Sequence, residues 1–515
     1  MQDLFTAAQA TQWLRERAPG VLTTDSRDVS PGDAFVAWPG TAIDARAYVA
    51  AAFEKGAACC LVERSGGGSY AWEGQELGAY AGLKADCGTI AAGFFGEPSQ
   101  ELAVIAVTGT NGKTSTAWWL AQALSALPAE HAIPCGVIGT LGIGRPPVAG
   151  DDVGALQGQA QARVTATGLT TPDPVLLQRT LRRFVDDGLR ACAIEASSIG
   201  IEEHRLTGTQ VRVAVFTNFT QDHLDYHATM EAYWQAKRKL FAWQGLTGVV
   251  LNIDDSKGAD MAASMHLADM DVWTVSCQGP ARLLAKNIAY GENGLRFDVQ
   301  EGATSLPLQT HMIGTYNVSN LLGVLAAMRA LGVPLGAAVK VCSTLHPVPG
   351  RMECLGGIGE PLVAVDYAHT PDALAQALTA LRTLALQRGG KLWCVFGCGG
   401  DRDSSKRPLM GAIAAQHADQ VVVTSDNPRG EKPEAIIAQI LLGVTQNKSV
   451  TVQADRAKAI ARVLAAAGAE DVVLIAGKGH EEAQEIAGVK TRFSDRTHAA
   501  EALQVRRQVA NGVRT

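Results

Sequence analysis

The sequence predicts an α/β protein of several domains in which mainly parallel sheets are covered by helices. Three observations carry that expectation. The chain has 515 residues, more than one hydrophobic core organises, so two to four domains are expected and three suit its segmentation. Apolar, β-branched runs recur along it, each breaking into a polar or glycine-rich tip with helical stretches between, as strands buried on both faces do. One strand-to-helix junction carries the glycine, lysine and hydroxyl pattern of a phosphate-binding loop. Composition agrees: 47% hydrophobic and 19% charged residues describe a folded chain with little room for long disordered segments.

From about 21 to 62 the chain, beginning VLTTDSRDVSPGDAFVAWPG, reads as short extended segments broken at Pro and Gly, then a helix running into GAACCLVE, which makes a small N-terminal α/β domain. A glycine-rich patch at 65–74 interrupts it, and FFGEPSQ at 94–100 has the turn chemistry of a linker. The first domain is therefore expected over 1–97. ELAVIAV, a glycine-containing turn and TAWWLAQALSAL give a strand, a loop and a helix, and further apolar strands are expected in ACAIE (191–195), VRVAVFTN (211–218) and GVVLNID (248–254). A polar stretch at 144–164 rich in Gly, Ala and Gln reads as a flexible loop. HPVPGR at 346–351 puts two prolines and a glycine where neither a helix nor a central strand tolerates them, so domains are expected over 98–345 and 346–515. Beyond it LVAVDYAHTP, KLWCVFGCGG, QVVVTSDNP and DVVLIAGKGH each run from apolar to polar. Ligands gather at the carboxyl ends of strands in open α/β sheets, so chemistry is expected at those four tips.

The net charge of −6 argues against a chain built mainly to coat nucleic acid or an anionic membrane. Ten cysteines, none in a Cys-x-x-Cys pair, are expected as reduced core thiols. The N-terminus lacks a basic leader followed by an apolar stretch, and no segment reaches the roughly 18 uncharged apolar residues of a membrane span. A cytoplasmic protein acting as a monomer, with neither nucleic acid nor membrane insertion, is expected.

The phosphate loop runs Gly109, Thr110, Asn111, Gly112, Lys113, Thr114, Ser115. Its glycines let backbone N–H groups close around phosphate, Lys113 supplies a cation and the Thr114 hydroxyl can hold Mg²⁺. Val107 stands where the usual pattern has a further glycine. A turn that only caps a helix is the plainer alternative, but a cation beside a helix N-terminus, itself partly positive, is a poor choice unless an anion binds. Glu195, ending an apolar strand, is a candidate metal ligand, and Asp222 and His223 follow the next strand. His223-x-x-x-His227 would also suit zinc on a helix, but Leu224 stands where the metalloprotease pattern has glutamate.

GTNGKTS, GLTTPDP, EASS, TNFTQDHLDYH and YWQAKRKLF, in that order and spacing, resemble the ATP-dependent Mur ligases. GTYNVSN, HPVPGRME, DYAHTPDAL, GCGGDRDSSKRPLM, SDNPRGE and AGKGHE resemble the diaminopimelate-adding branch. The resemblance spans nearly the whole chain. It implies an N-terminal UDP-binding domain, a central P-loop-type parallel-sheet ATPase and a C-terminal Rossmann-like domain that receives the amino acid. It also implies the reaction: ATP phosphorylates the D-glutamyl γ-carboxylate of UDP-MurNAc-L-Ala-D-Glu, and the amine of meso-diaminopimelate displaces phosphate, a step of peptidoglycan synthesis. Carried over by position, the loop 109–115 with Asn317, Arg351, Asp366 and His369 would bind ATP. Thr114, Glu195, His223 and Lys237, the last as a carbamate, would hold Mg²⁺, with Lys113, Lys237 and His223 as the catalytic groups. Ser26, Thr170, Thr171, Ser197, Glu203 and Arg205 match positions around the UDP-muramoyl dipeptide. Arg402, Asp426, Asn427, Pro428, Arg429, Gly477 and Glu481 match positions around diaminopimelate, Glu481 facing its distal ammonium.

The residues themselves explain part of this. Asp426-Asn427-Pro428-Arg429 reads as a rigid turn presenting one guanidinium, whose planar fork suits the second carboxylate that distinguishes diaminopimelate from lysine. Three positions depart from the family pattern. Ile199 replaces a histidine, Ala45 a glycine, and Glu203 a glutamine that contacts substrate; an extra anion there should weaken binding unless it is paired or turned away. A lysine-adding relative or a folylpolyglutamate synthetase would share the ATPase core, but Asp25-Ser26-Arg27 and Arg429 speak against both. A nucleotide-driven switch would hydrolyse ATP indifferently to any muramoyl dipeptide.

Overall fold

The computed structural model describes residues 1–40, 43–66, 75–148, 164–264, 270–291, 294–444, 449–510 and 512. Most of the glycine-rich patch expected at 65–74 and of the loop expected at 144–164 lies outside them. Three large sheets follow one another along the chain. The first is five-stranded and parallel, in the order Gln2–Leu4, Leu77–Tyr80, Cys59–Glu63, Ala34–Ala37, Leu22–Thr23.

The central sheet has eleven strands. Its heart is parallel, with Ala103–Thr108 between Ala191–Glu195 and Val213–Phe216, then Gly248–Asn252 and Asp271–Ser276. These strands are buried along almost their whole length, which is why they read as continuous apolar runs. Helices cover both faces: Lys113–Ser125 and Tyr316–Ala330 pack on one core, and Pro174–Asp186 lies over the other. The expectation of a parallel sheet needs one correction, because both ends turn antiparallel. Leu283–Gly291, Gly294–Glu301 and Thr304–Gln309 form a meander at one edge, and Cys135–Gly139 pairs antiparallel with Gly142–Gly144 at the other. In the meander only alternate residues (Leu295, Phe297, Val299) are buried, a two-residue period that leaves no continuous apolar run in the sequence.

The third sheet has six strands in the order Glu353–Leu355, Leu362–Asp366, Val472–Ala476, Leu392–Phe396, Gln420–Val423, Val450–Val452, parallel except for the first. All four strands expected here form, and their tips face one way. The cysteines are free, eight buried and Cys277 and Cys354 half-buried. No helix among the described residues is long and apolar enough to cross a membrane.

Candidate active site

A cleft of about 1060 Å³ opens between the carboxyl ends of the central and third sheets. The loop between Ala103–Thr108 and helix Lys113–Ser125 forms its floor. Gly109 (φ 147°) and Gly112 (φ 85°) occupy backbone conformations closed to most side chains. A Cβ at Gly109 would strike Thr217, and one at Gly112 would strike Asn320. Neighbouring strand tips hold the loop: Asn111 N donates to Asn218 Oδ1 (2.9 Å), and Thr217 Oγ1 donates to Asn111 O (2.6 Å). Lys113 Nζ curls back to Gly109 O (2.9 Å) and Thr110 O (2.8 Å), and burial pushes its pKa down.

Glu195 is 1% exposed and accepts three hydrogen bonds. Its Oε2 accepts from Thr114 Oγ1 (2.9 Å) and Thr140 Oγ1 (3.2 Å), and its Oε1 from Thr140 N (2.7 Å). Thr140 also meets Thr170 Oγ1 at 3.0 Å. Thr171 Oγ1 donates to Glu195 O (2.7 Å) and lies 3.0 Å from Ser197 Oγ, while Arg205 donates to Thr171 O (2.9 Å). Thr170, Thr171, Ser197 and Arg205 thus form one wall that continues from the phosphate loop, with Ile199 among its lining residues.

On the opposite side stand Asp222 and His223, with His223 in the left-handed region (φ 53°). Asp222 Oδ2 lies 3.5 Å from His223 Nε2 and 4.0 Å from His369 Nε2. Burial raises Asp222, but His369, His223 and Lys406 together outweigh it and hold its pKa at about 2. His223 and His369 are each lowered to about 4, chiefly by burial. His227 Nε2 is instead engaged with Ser198 Oγ (2.9 Å). Lys237 is fully buried beneath the loop, donates to Gly109 O (2.8 Å) and lies over the Tyr233 ring. Burial, with the Lys113 charge beside it, pushes its pKa well below the ordinary 10.5.

The third sheet closes the cleft from above. Arg351 Nη2 donates to Thr114 Oγ1 (3.1 Å), and its guanidinium lies 4.3 Å from the Tyr367 ring centre. Asp366 accepts from Met352 N (2.7 Å) and Ala368 N (2.8 Å), so it also organises the turn that carries His369. Asn111 Nδ2 reaches across to Asp372 Oδ2 (3.0 Å). Asn317 lies in the first turn of helix Tyr316–Ala330 and accepts from Asn320 Nδ2 (3.0 Å). At the far end, Asp426 and Asn427 are buried and Arg429 adopts φ 51°. Gly477 (φ 116°) is pressed against Asp426, where a Cβ would collide with the carboxylate. Arg429 Nη1 donates to Gly400 O (2.8 Å), and Arg402 lies nearby at the cleft edge.

The cleft thus gathers most of the residues singled out from sequence. Gly109, Lys237 and Pro428 lie just behind its surface, and Ser26 sits in a turn of the N-terminal sheet, away from the lining. Glu203 is also off the lining. It is paired with Lys84 (2.6 Å) and Tyr226 (2.6 Å), the outcome that removes the electrostatic objection to it. Glu481 Oε2 already accepts from Asn427 Nδ2 (2.7 Å) and Lys478 Nζ (2.9 Å). Sequence reasoning passed over Lys478, fully buried between Asn427, Glu481 and Ala483 O, although its place between two glycines after an apolar strand was a signal. Thr140 carried no such signal, because its partner Glu195 is distant in sequence.

Comparison with known proteins fits this architecture of three sheets around a phosphate loop. Residues 107–328 match the Mur ligase middle domain, and residues 350–479 match the Mur ligase glutamate ligase domain. A UDP-N-acetylmuramoyl-L-alanyl-D-glutamate–2,6-diaminopimelate ligase of Acidovorax sp. (strain JS42) is 59% identical, covering 99% of both chains. The ligase of the same name from Janthinobacterium sp. (strain Marseille) is 45% identical over 98% of this chain and 99% of its own. A solved structure of such a ligase superposes with a TM-score of 0.63 at 34% identity, covering 95% of each chain. The chain belongs to the Mur ligase family of ATP-dependent ligases.

Proposed function

We propose that the protein joins meso-diaminopimelate to the D-glutamyl γ-carboxylate of UDP-MurNAc-L-Ala-D-Glu, with ATP converted to ADP and phosphate. The observation that carries this reading is the single cleft running from the Lys113–Thr114–Glu195 floor to the Asp426–Arg429 turn, in a chain with a relative of that name at 59% identity. In our reading, 1–97 holds the UDP moiety, 98–345 binds ATP and 346–515 receives the amino acid. Asn317, Arg351, Asp366 and His369 hold the nucleotide. Ser26, Thr170, Thr171, Ser197 and Arg205 hold the UDP-dipeptide.

The donor set fits Mg²⁺. Thr114, Glu195 and the neutral His223 ring offer hard or borderline donors around the phosphate loop, and the described residues contain no cluster of three or more His, Cys, Asp or Glu side chains that would cage an ion unaided. A cation here would take its remaining ligands from phosphate and water, as Mg²⁺ does. Lys237 fits the further role of a carbamate: burial and the Lys113 charge shift it toward the uncharged amine, the form that adds to CO₂ with loss of a proton. Bound Mg²⁺ would neutralise charge between the phosphates and the glutamyl carboxylate.

The chain's own groups do the rest. Backbone N–H groups of 112–115 and Lys113 orient the phosphates so that a carboxylate oxygen attacks the γ-phosphorus and ADP departs, leaving an acyl phosphate. The turn at 426–429 places the neutral amine of diaminopimelate at the acyl carbon. The C–N bond forms, the C–O bond to phosphate breaks, and the amine proton is released. ADP release measured with UDP-MurNAc-L-Ala-D-Glu and either meso-diaminopimelate or L-lysine, with intact-mass detection of the tripeptide, tests the reading. Turnover without a lengthened peptide, or with neither amine, rejects it.

A further inference from the structure

Glu203 stands where the family pattern has a substrate-contacting glutamine, yet its carboxylate does not line the cleft. It joins three parts of the chain. Lys84, in the first turn of helix Leu83–Phe94 of the N-terminal unit, reaches Glu203 Oε2 at 2.6 Å. Glu203 itself ends the short helix Ser198–Glu202 beside Ser197 and Arg205. Tyr226, three residues after His223, donates its hydroxyl to Glu203 Oε1 at 2.6 Å.

The segment so held needs holding. It runs between two non-glycine residues at positive φ, His223 (53°) and Ala228 (61°), conformations that persist only when the surroundings enforce them. Two ties enforce them here: the Tyr226 bond to Glu203 and the His227 bond to Ser198. The Lys84 end is equally well placed. Gly88, one turn further on the same helix face, abuts Thr207 so closely that a Cβ would collide with its carbonyl, and Gly208 abuts Gly88 in return. The N-terminal helix is thus keyed to the central unit at two adjacent points, one a close backbone-to-backbone approach, the other ionic.

We infer that Glu203 is a positioning residue: it fastens the 222–228 segment, and with it His223, to the N-terminal unit through Lys84, rather than binding the muramoyl dipeptide. Burial alone would raise the Glu203 carboxyl, but Lys84 and Tyr226 together outweigh it and keep the group below its ordinary pKa, so the tie is ionic at neutral pH. The ends of the molecule assigned to UDP and to phosphate are thereby coupled, and a shift of the N-terminal helix is felt at His223.

The inference rests on the proposed ligase activity for its kinetic arm only; hydrogen exchange tests it independently. In substrate-free protein, Glu203→Ala and Tyr226→Phe should each speed exchange of amides 222–228 by roughly tenfold or more, the loss of one hydrogen bond to a charged group. Glu203→Gln, which keeps an acceptor for Tyr226 but loses the charge that pairs with Lys84, should restore protection of 222–228 only to the level left by Lys84→Met. Lys84→Met should speed exchange both in 83–94 and in 222–228. In turnover, Glu203→Ala should lower kcat roughly tenfold while KM for the UDP-dipeptide stays within about twofold. A raised KM for the UDP-dipeptide with unchanged kcat and unchanged exchange would establish substrate contact and overturn the inference. A Lys84→Met effect confined to 83–94 would overturn the coupling. Should Glu203→Ala fail to fold, Tyr226→Phe carries the same test. If the wild type makes no tripeptide, the ligase reading falls while the exchange result still decides the tether.

Discussion

Arg429→Ala isolates the group to which the proposed function assigns the choice of diaminopimelate over lysine. Arg429 already has positive φ (51°), with its N donating to Glu485 O (3.0 Å) and its O accepting from Ala487 N (2.7 Å). Alanine keeps the same Cβ, so the substitution adds no backbone strain and leaves those bonds in place. What disappears is the guanidinium, whose Nη1 is engaged by Gly400 O (2.8 Å), leaving Nε and Nη2 free to meet a carboxylate. Charge-assisted hydrogen bonds are worth about 1.5–3 kcal/mol. Taking about 2–3 kcal/mol for the pair after solvent competition gives a fall of about 30- to 160-fold in kcat/KM for meso-diaminopimelate. The assay is steady-state ADP release over a range of diaminopimelate, repeated with L-lysine. Lysine lacks the distal carboxylate, so its kcat/KM should change little and discrimination should collapse. Arg429→Lys should fall between, since an ammonium keeps charge but not the fork. An unchanged KM for diaminopimelate, or equal losses for both amines, would refute the assignment.

Three further outcomes are expected. Glu195→Gln replaces the anion that accepts from Thr114 and Thr140 and should lower kcat by about 100-fold or more with a near-native thermal transition; full activity would remove Glu195 from the metal set. Asp495→Asn leaves the fully buried Arg456 guanidinium without its ion-pair partner, and urea unfolding should show a loss of about 3–5 kcal/mol; a loss under about 1 kcal/mol would contradict it. Glu431, hydrogen-bonded to Arg407, has its pKa held at about 2, below the ordinary 4.5. Its contribution is therefore complete above pH 4.5 and lost as pH falls toward 2. Arg407→Met should flatten that limb of the stability curve, and an unchanged acid slope would count against the pair.

The strands carrying the chemistry were legible because complete burial makes them continuous apolar runs, and because their polar tips are short. Thr108 to Thr114, Asp366 and Asp426 could all be placed at strand ends from this alone. The turn at 426–429 was legible as rigid from its proline, but not the left-handed conformation of Arg429, since sequence marks that region reliably only with glycine or asparagine. The meander at 283–309 escaped because half-exposed strands alternate rather than run. Glu203 is the sharpest case: its departure from the family pattern marks it as an unwelcome anion, and only the approach of Lys84 and Tyr226 in space makes it a partnered one. Pairings between distant positions are set by how the units pack, which local pattern does not encode.

The charge states of the cleft follow from where that packing puts each group. Burial lowers Lys113, Lys237, His223 and His369 and raises Asp366 and Asp426, so desolvation drives each toward its neutral form. Asp222 is the exception, because three positive or potentially positive neighbours hold it ionised. A neutral His223 beside an ionised Asp222 offers a lone pair and an anion at one edge of the phosphate loop, the state that the proposed magnesium-bound phosphate would require and protonated imidazole would oppose. The fixed dipoles of the loop, 109–115, then face incoming charge without rearranging, and water-exposed versions of the same groups would lose most of that advantage to screening. Contact of the third sheet with the loop, through Arg351 to Thr114 and Asn111 to Asp372, belongs to the same proposed chemistry: it narrows solvent access to the loop, while His223 and His369 keep 38% and 39% of their side-chain surface exposed.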